Sequence, residues 1–349
     1  MDTLFFIGVI VLFILTSIAW GFKTLPKENW QILAVLPRKK NGKGGWNGLN
    51  LTYYGFLCAN AYTFAVFIFL ILSGSMGIPM TGLVALTVSL LMICMPSANL
   101  IARIVEKKTN TLTVGGAVFA GALAAPWIVL AVNHTLGKME GFEISVIVFL
   151  SAISIAYAYG EGLGRLACVS FGCCYGKPLA ACSPRVRHLF SRFNLVFNGK
   201  TKKIAYADDL DGQPVIPIQI ITAVIYSVSA VFGTWLFLNH YFAAALLETI
   251  IVTQVWRFLS EFLRADFRGR LAITPYQVMS LLTIPYLTGA ILFFPPMAQT
   301  PQLSAGLSMV WNPWMILFLQ LIWIITFLYT GRSAVTGSRI SLHVIEDKI

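Results

Sequence analysis

The stretch 142–165 reads FEISVIVFLSAISIAYAYGEGLGR. Between Glu143 and Glu161 it carries no charge, and an apolar window at 142–163 is about as long as a helix needs to cross a hydrocarbon core of roughly 30 Å. It then closes on Glu161-Gly162-Leu163-Gly164-Arg165, so a carboxylate and a guanidinium sit at the membrane edge. Ionisable groups inside a span cost roughly 2.5–3.5 kcal/mol each on insertion scales, so they face a bundle interior or a wet cavity and have partners.

Working outward, eight more windows of the same kind fall near 3–22, 51–73, 78–102, 113–133, 216–238, 242–263, 274–295 and 311–330. With 57% hydrophobic and 11% charged residues over 349 positions, the chain is too apolar for a soluble domain. The expectation is an all-α integral membrane protein, a polytopic bundle of about nine transmembrane helices with one longer motif-bearing loop, 164–215. The first window lacks a basic flank and a small-residue cleavage site, so it reads as a retained helix.

Nine spans divide the loops unevenly. One side receives 23 of the 25 basic residues, including Arg38 to Lys43, Lys107, Lys108, the loop 164–215, Arg264, Arg268, Arg270 and Arg332. Basic juxtamembrane residues resist translocation, so the motif loop and the C-terminus are expected in the cytoplasm and the N-terminus outside. Orientation accounts for the net charge of +11, so no nucleic-acid partner is expected.

A second ionic cluster lies in the window 242–263, where Arg257, Glu261 and Arg264 recur at i, i+4 and i+7 and would share one helical face. Forked, cationic and paired, the two clusters suit a phosphate. Loop 164–215 also shows strand-like alternation at Phe193 to Phe197 and at Lys203 to Tyr206, which suggests a short hairpin.

These residues stand in an order that resembles the prolipoprotein diacylglyceryl transferase family. Gly164-Arg165, with Gly172 seven residues on and Gly176 four beyond, resembles its signature. Tyr54-Gly55, Gly115-Gly116, Pro217-Ile218-Gln219, the arginine helix and Thr274 with Gln277 follow in family order. The similarity runs from about residue 50 to 290. It divides the chain into 1–50, an added helix and basic loop; 51–295, the transferase-like core; and 296–349, an added helix and tail.

The resemblance implies transfer of a diacylglyceryl group from an anionic lipid such as phosphatidylglycerol to a nucleophile, with no cofactor; the acceptor stays open. Attack on a glycerol carbon expels a phosphate ester, whose charge buried guanidinium groups stabilise. Arg165 and Arg257 take that role, Glu261 holds the arginines in register and Tyr54 orients a lipid oxygen. Gly164, Gly172, Cys173, Cys174, Gly176, Gln219, Arg264 and Gln277 are the expected substrate-binding positions. A non-catalytic lipid-binding or transport protein on the same fold is the alternative.

Departures bear on the missing base. The two family histidines are Ala120 and Ile216 here, an asparagine is Cys168, an acidic residue is Cys173, and a tyrosine is Thr253. Glu161 ranks first as the replacement base, ahead of Cys173, Cys174 and His188; simple neutralisation of Arg165 is its other reading. Cys168, Cys173, Cys174 and Cys182 crowd one segment. They are open to three readings: packing residues, a thiolate nucleophile beside Arg165, or zinc ligands with His188. Their spacing fits no common structural zinc pattern, so no metal is expected.

Overall fold

The chain is described by a computed structural model over residues 3–41, 44–107, 113–266, 273–294, 299–341, 343 and 345–348. Lys43, Lys108, Arg268 and Arg270 lie outside the described residues.

Nine helices among the described residues are long and apolar enough to cross a membrane. They are α1 (Thr3–Thr24), α2 (Tyr53–Gly74), α3 (Met80–Glu106), α4 (Val114–Val132), α5 (Val146–Phe171), α6 (Ile218–Leu238), α7 (Phe242–Ser260), α8 (Pro275–Phe293) and α9 (Pro313–Thr330). The protein is a polytopic helical membrane protein, and its spans fall where the apolar windows do.

Helix α5 is the axis of the bundle and the most buried span. It packs against α2, α6 and α7. Ser145 caps its start by accepting the amide of Val148. Its end is set by Gly172, which takes a left-handed φ of +69° while the amide of Cys173 reaches back to the carbonyl of Cys168 at 3.0 Å. The expected end near residue 163 is therefore corrected. Gly164 does not stop the helix, and Glu161 and Arg165 lie inside it, with nearly two turns still to follow.

A second correction concerns α7. The α-helix stops at Ser260, Glu261–Leu263 form a 3-10 turn, and Arg264 is extended at φ −85° and ψ 151°. Arg257, Glu261 and Arg264 do not share one helical face, because the face ends before the last two. The reason is backbone pairing: the amide of Lys177 donates to the carbonyl of Leu263 at 2.9 Å and that of Ala265 to Tyr175 at 3.1 Å. Those bonds compete with continuation of the helix.

Among the described residues five strands complete the fold: β1 (Ile32–Asn41), β2 (Gly45–Thr52), β3 (Leu195–Val196), β4 (Pro214–Val215) and β5 (Arg332–Ser341). β1, β2 and β5 make an antiparallel sheet in that order, pairing the N-terminal basic loop with the C-terminal tail, as in Trp46 opposite Ile340. The expected hairpin of 193–197 with 203–206 does not form: β3 lies in the first stretch, but its partner is β4. Lys203 to Tyr206 is helical instead, within Lys203–Asp208, because Ile204 anchors the turn as a fully buried side chain.

Lys202 precedes that helix and is itself fully buried, its ammonium donating to the carbonyls of Leu25 and Ser170 at 3.1 and 2.7 Å. Burial lowers its pKa from 10.5 to about 8, with Glu28 acting the other way. Between these values the unfolded chain holds a proton that the fold does not, so Lys202 adds stability as pH rises through the window. The readout is the difference in melting temperature between wild type and Lys202→Met in detergent, which should move in favour of wild type between pH 8 and 10. A pH-independent difference contradicts the assignment.

Candidate active site

Helices α5 and α7 each bring one arginine to the same point. The guanidinium of Arg165 contacts the carboxylate of Glu161 one turn earlier on α5. Across the helix interface, Nη1 of Arg257 lies 3.9 Å from the same Glu161 oxygen. One carboxylate thus faces two guanidinium groups, and the trio carries a net charge of about +1.

A hydroxyl relay fixes Arg257. Its Nη1 donates to Tyr157 at 3.3 Å, Tyr157 donates to Tyr226 at 3.4 Å, and Tyr226 donates to the carbonyl of Thr253 at 2.8 Å. Tyr157, Glu161 and Arg165 are spaced by four residues on α5 and therefore share a face. The guanidinium also lies flat against Gly115 of α4, where a Cβ would sit 2.8 Å from Nη2.

Both arginines keep an unspent donor. The Nε–H groups of Arg165 and Arg257 are buried and have no hydrogen-bond partner among the described residues. Buried polar groups are rarely left so, and each such group costs about 1–3 kcal/mol. The pair thus offers two idle donors beside its charge.

Both side chains line a cavity of about 930 Å³, at the upper end of the roughly 300–1,000 Å³ usual for small-molecule pockets. Its polar end holds Arg165, Arg257, Glu161, Tyr54 and Cys174, and its walls continue past Phe69, Leu90, Leu150 and Leu287 into the apolar core. The lining is thus polar at the arginines and apolar along the core helices.

The remaining expected residues divide. Tyr54 lines the cavity, packs its ring against Phe171 and meets the thiol of Cys58. Gly164, Cys173 and Cys174 line it as well. Gln219 reaches a polar crevice beside Arg165 and Arg257, donates to the carbonyl of Cys173 at 3.0 Å, and keeps its own carbonyl oxygen without a partner among the described residues. Gly176 has a structural reason to be glycine, since a Cβ there would lie 2.4 Å from the carbonyl oxygen of Ile216. Its bridge to Arg264 joins the Gly172 to Gly176 motif to the end of α7.

Four expectations shift. Glu161, and not Glu261, lies within ion-pair distance of both Arg165 and Arg257, while Glu261 lies 3.7 Å from Arg264 and reaches Arg257 only through its charge. Arg264 spends its fork on Asp266, at 2.8 and 3.0 Å. Burial opposes the charge of Arg264, but Asp266, Cys174 and Glu261 outweigh it and hold its pKa well above the usual value. Gln277 lies outside the cavity and completes a capping box with Thr274, its amide donating to the carbonyl of Phe258 at 3.1 Å. His188 sits on the exposed helix Pro184–Phe190, away from the cavity.

The four cysteines do not act as one group. Cys168, Cys173 and Cys174 bring their sulfurs within 4.8 Å of one another, whereas Cys182 bonds to the carbonyl of Pro178. Mutual hydrogen bonding with Cys168 and Cys174, together with burial, raises the pKa of Cys173 well above the ordinary thiol value. Tyr157, Tyr226 and Gly115 were not singled out from sequence as site residues. The four-residue spacing from Tyr157 to Arg165 was a usable signal for the first.

The chain matches the family model described as prolipoprotein diacylglyceryl transferase over residues 46–294. Phosphatidylglycerol–prolipoprotein diacylglyceryl transferase 2 of Clostridium perfringens is 25% identical over 186 residues, which are 53% of this chain and 62% of that relative. The chain therefore spans less than two thirds of that relative's length.

Proposed function

The chain belongs to the prolipoprotein diacylglyceryl transferase family, and on that premise we propose that it transfers a diacylglyceryl group from phosphatidylglycerol to a thiol acceptor. The observation that carries this reading is the pair of idle Nε–H donors at the polar end of an amphipathic cavity. The donor's phosphate lies against Arg165 and Arg257, and its acyl chains follow the apolar walls. The acceptor thiol gives up its proton to water, its sulfur attacks the glycerol carbon, the carbon–oxygen bond breaks, and the electron pair leaves on the phosphate oxygen. Charge grows on that oxygen, where two guanidinium groups in a low-dielectric site stabilise it. The net +1 of the arginine–glutamate trio matches the single charge of a phosphodiester.

Neither substituted histidine position supplies a base. Ile216 is buried against Gly176, and Ala120 does not line the cavity. Glu161 faces two guanidinium groups, and we read it as their counter-ion and not as the base. Glu161→Gln should therefore keep more than about a tenth of wild-type turnover, whereas loss of a general base costs about 10²–10⁴. Single-turnover transfer measured on the purified variant decides between the two.

The donor assignment is tested by glycerol phosphate release. Purified protein with a cysteine peptide should release it from phosphatidylglycerol vesicles and release no ethanolamine phosphate from phosphatidylethanolamine vesicles. Equal release from both lipids overturns the choice of donor. The absent histidines favour a lipid-binding protein as the second reading, and binding of phosphatidylglycerol without release supports it.

The site and the basic loops share one end of the bundle, and we place that end in the cytoplasm of a bacterial inner membrane. A reporter active only outside the membrane should stay silent at the C-terminus. Strong activity there reverses the orientation.

A further inference from the structure

Three thiols converge where the base is missing. Cys168 is on α5, three residues beyond Arg165; Cys173 and Cys174 follow the left-handed turn at Gly172. The 3.0 Å bond from the amide of Cys173 to the carbonyl of Cys168 folds the chain back on itself, and Cys174 takes a left-handed φ of 56°. That conformation costs a non-glycine residue about 1–2 kcal/mol. The bridge between Gly176 and Arg264 holds the turn in place. The result is three unbridged thiols within 4.8 Å of one another, all lining the cavity that holds Arg165 and Arg257.

We propose that Cys168, Cys173 and Cys174 bind a zinc ion whose fourth position opens on the cavity and takes the acceptor thiol. The second half of this rests on the transferase reading; the metal site does not. A tetrahedral ion with zinc–sulfur bonds of about 2.3 Å needs its sulfurs about 3.8 Å apart, a closure of no more than about 1 Å from the present spacing. Three protein ligands, with a fourth position left free, is the count of catalytic zinc sites, whereas structural sites are closed by four. Cys58 and Cys94, the other thiols on the cavity wall, are outside the three-sulfur group. A zinc tris-thiolate carries one net negative charge, and Arg165 and Arg264 stand beside it as counter-charges.

Zinc at this point supplies what the substituted histidines do not. An acceptor thiol entering the fourth position loses its proton to water and stays there as a thiolate. Its sulfur lone pair forms the bond to the glycerol carbon as the carbon–oxygen bond breaks, and that bond's electron pair leaves on the phosphate oxygen beside Arg165 and Arg257. No redox change occurs, and the ion keeps its three protein ligands.

The test uses the full-length protein in detergent, purified without chelators. Elemental analysis should find about one zinc per chain. Cys168→Ser, Cys173→Ser and Cys174→Ser should each lose it, and Cys182→Ser should keep it. Cobalt substitution should give the intense charge-transfer and visible bands of a tetrahedral thiolate site, and N-acetylcysteine amide should shift those bands by filling the fourth position. A folded wild-type chain without zinc that takes up no cobalt overturns the proposal, as does zinc retained in all three serine variants or a disulfide among the three thiols. Cobalt bands unmoved by the added thiol overturn the open position. These readouts need no turnover, so zinc binding without lipid transfer counts against the transferase reading alone, and transfer by a zinc-free chain counts against the metal alone.

Discussion

Arg257→Lys should lower diacylglyceryl transfer by about 10²–10³, the usual cost of one oriented donor to a developing oxyanion. Lysine keeps the charge and loses the fork. At position 257 the fork does two jobs: Nη1 is held by Tyr157 and faces Glu161, while Nε–H stays free for the ligand. An ammonium has one centre and cannot do both. Arg165→Lys should behave alike, because its Nη2 is engaged by Glu161 and its Nε–H is idle. The loss should appear in kcat/KM with phosphatidylglycerol vesicles, with the helical signal and melting profile kept. Wild-type kcat/KM in either variant would reduce the arginines to point charges.

Gly115→Val should have the next largest effect. A Cβ there would stand 2.8 Å from Nη2 and 3.1 Å from Nε of Arg257, so the guanidinium must move. Displacing a catalytic group by about 1 Å can cost about 10²-fold. Gly116→Ala is the matched comparison, since a Cβ there meets the side chain of Ile101 of α3 at 2.7 Å and no site group. That variant should lower the melting temperature while keeping kcat/KM within about threefold, because overpacking at a helix interface costs stability. Equal loss of kcat/KM in both variants would mean that α4 packing as a whole sets the rate.

The spans were legible because each must match the bilayer alone; apolar length fixes them without tertiary information. The ends of α5 and α7 were less so. Gly164 and Gly172 are both plausible stops, and only the latter takes the left-handed conformation. The turn at Glu261 follows from pairing with Tyr175 and Lys177, nearly ninety residues away. The sheet joining β2 to β5 links segments almost three hundred residues apart, so no local pattern announces it.

The two arginines were legible from the expense of charge in a span. Which glutamate serves them was not, because helical spacing puts Glu261 beside Arg257 whereas the packing of α5 on α7 puts Glu161 there. The thiol cluster escaped a spacing rule because its ligands straddle a helix end, and the backbone reversal at Gly172 brings them together.

The central claim is that the arginine cradle serves transfer from the lipid and not storage of it. Its most direct test is to reconstitute the purified protein with phosphatidylglycerol labelled in the diacylglyceryl moiety and a cysteine peptide. The account predicts that label moves onto the peptide sulfur in step with glycerol phosphate release, and that both fall together in Arg257→Lys. Phosphatidylglycerol that binds the protein, keeps its label and releases no glycerol phosphate would contradict it.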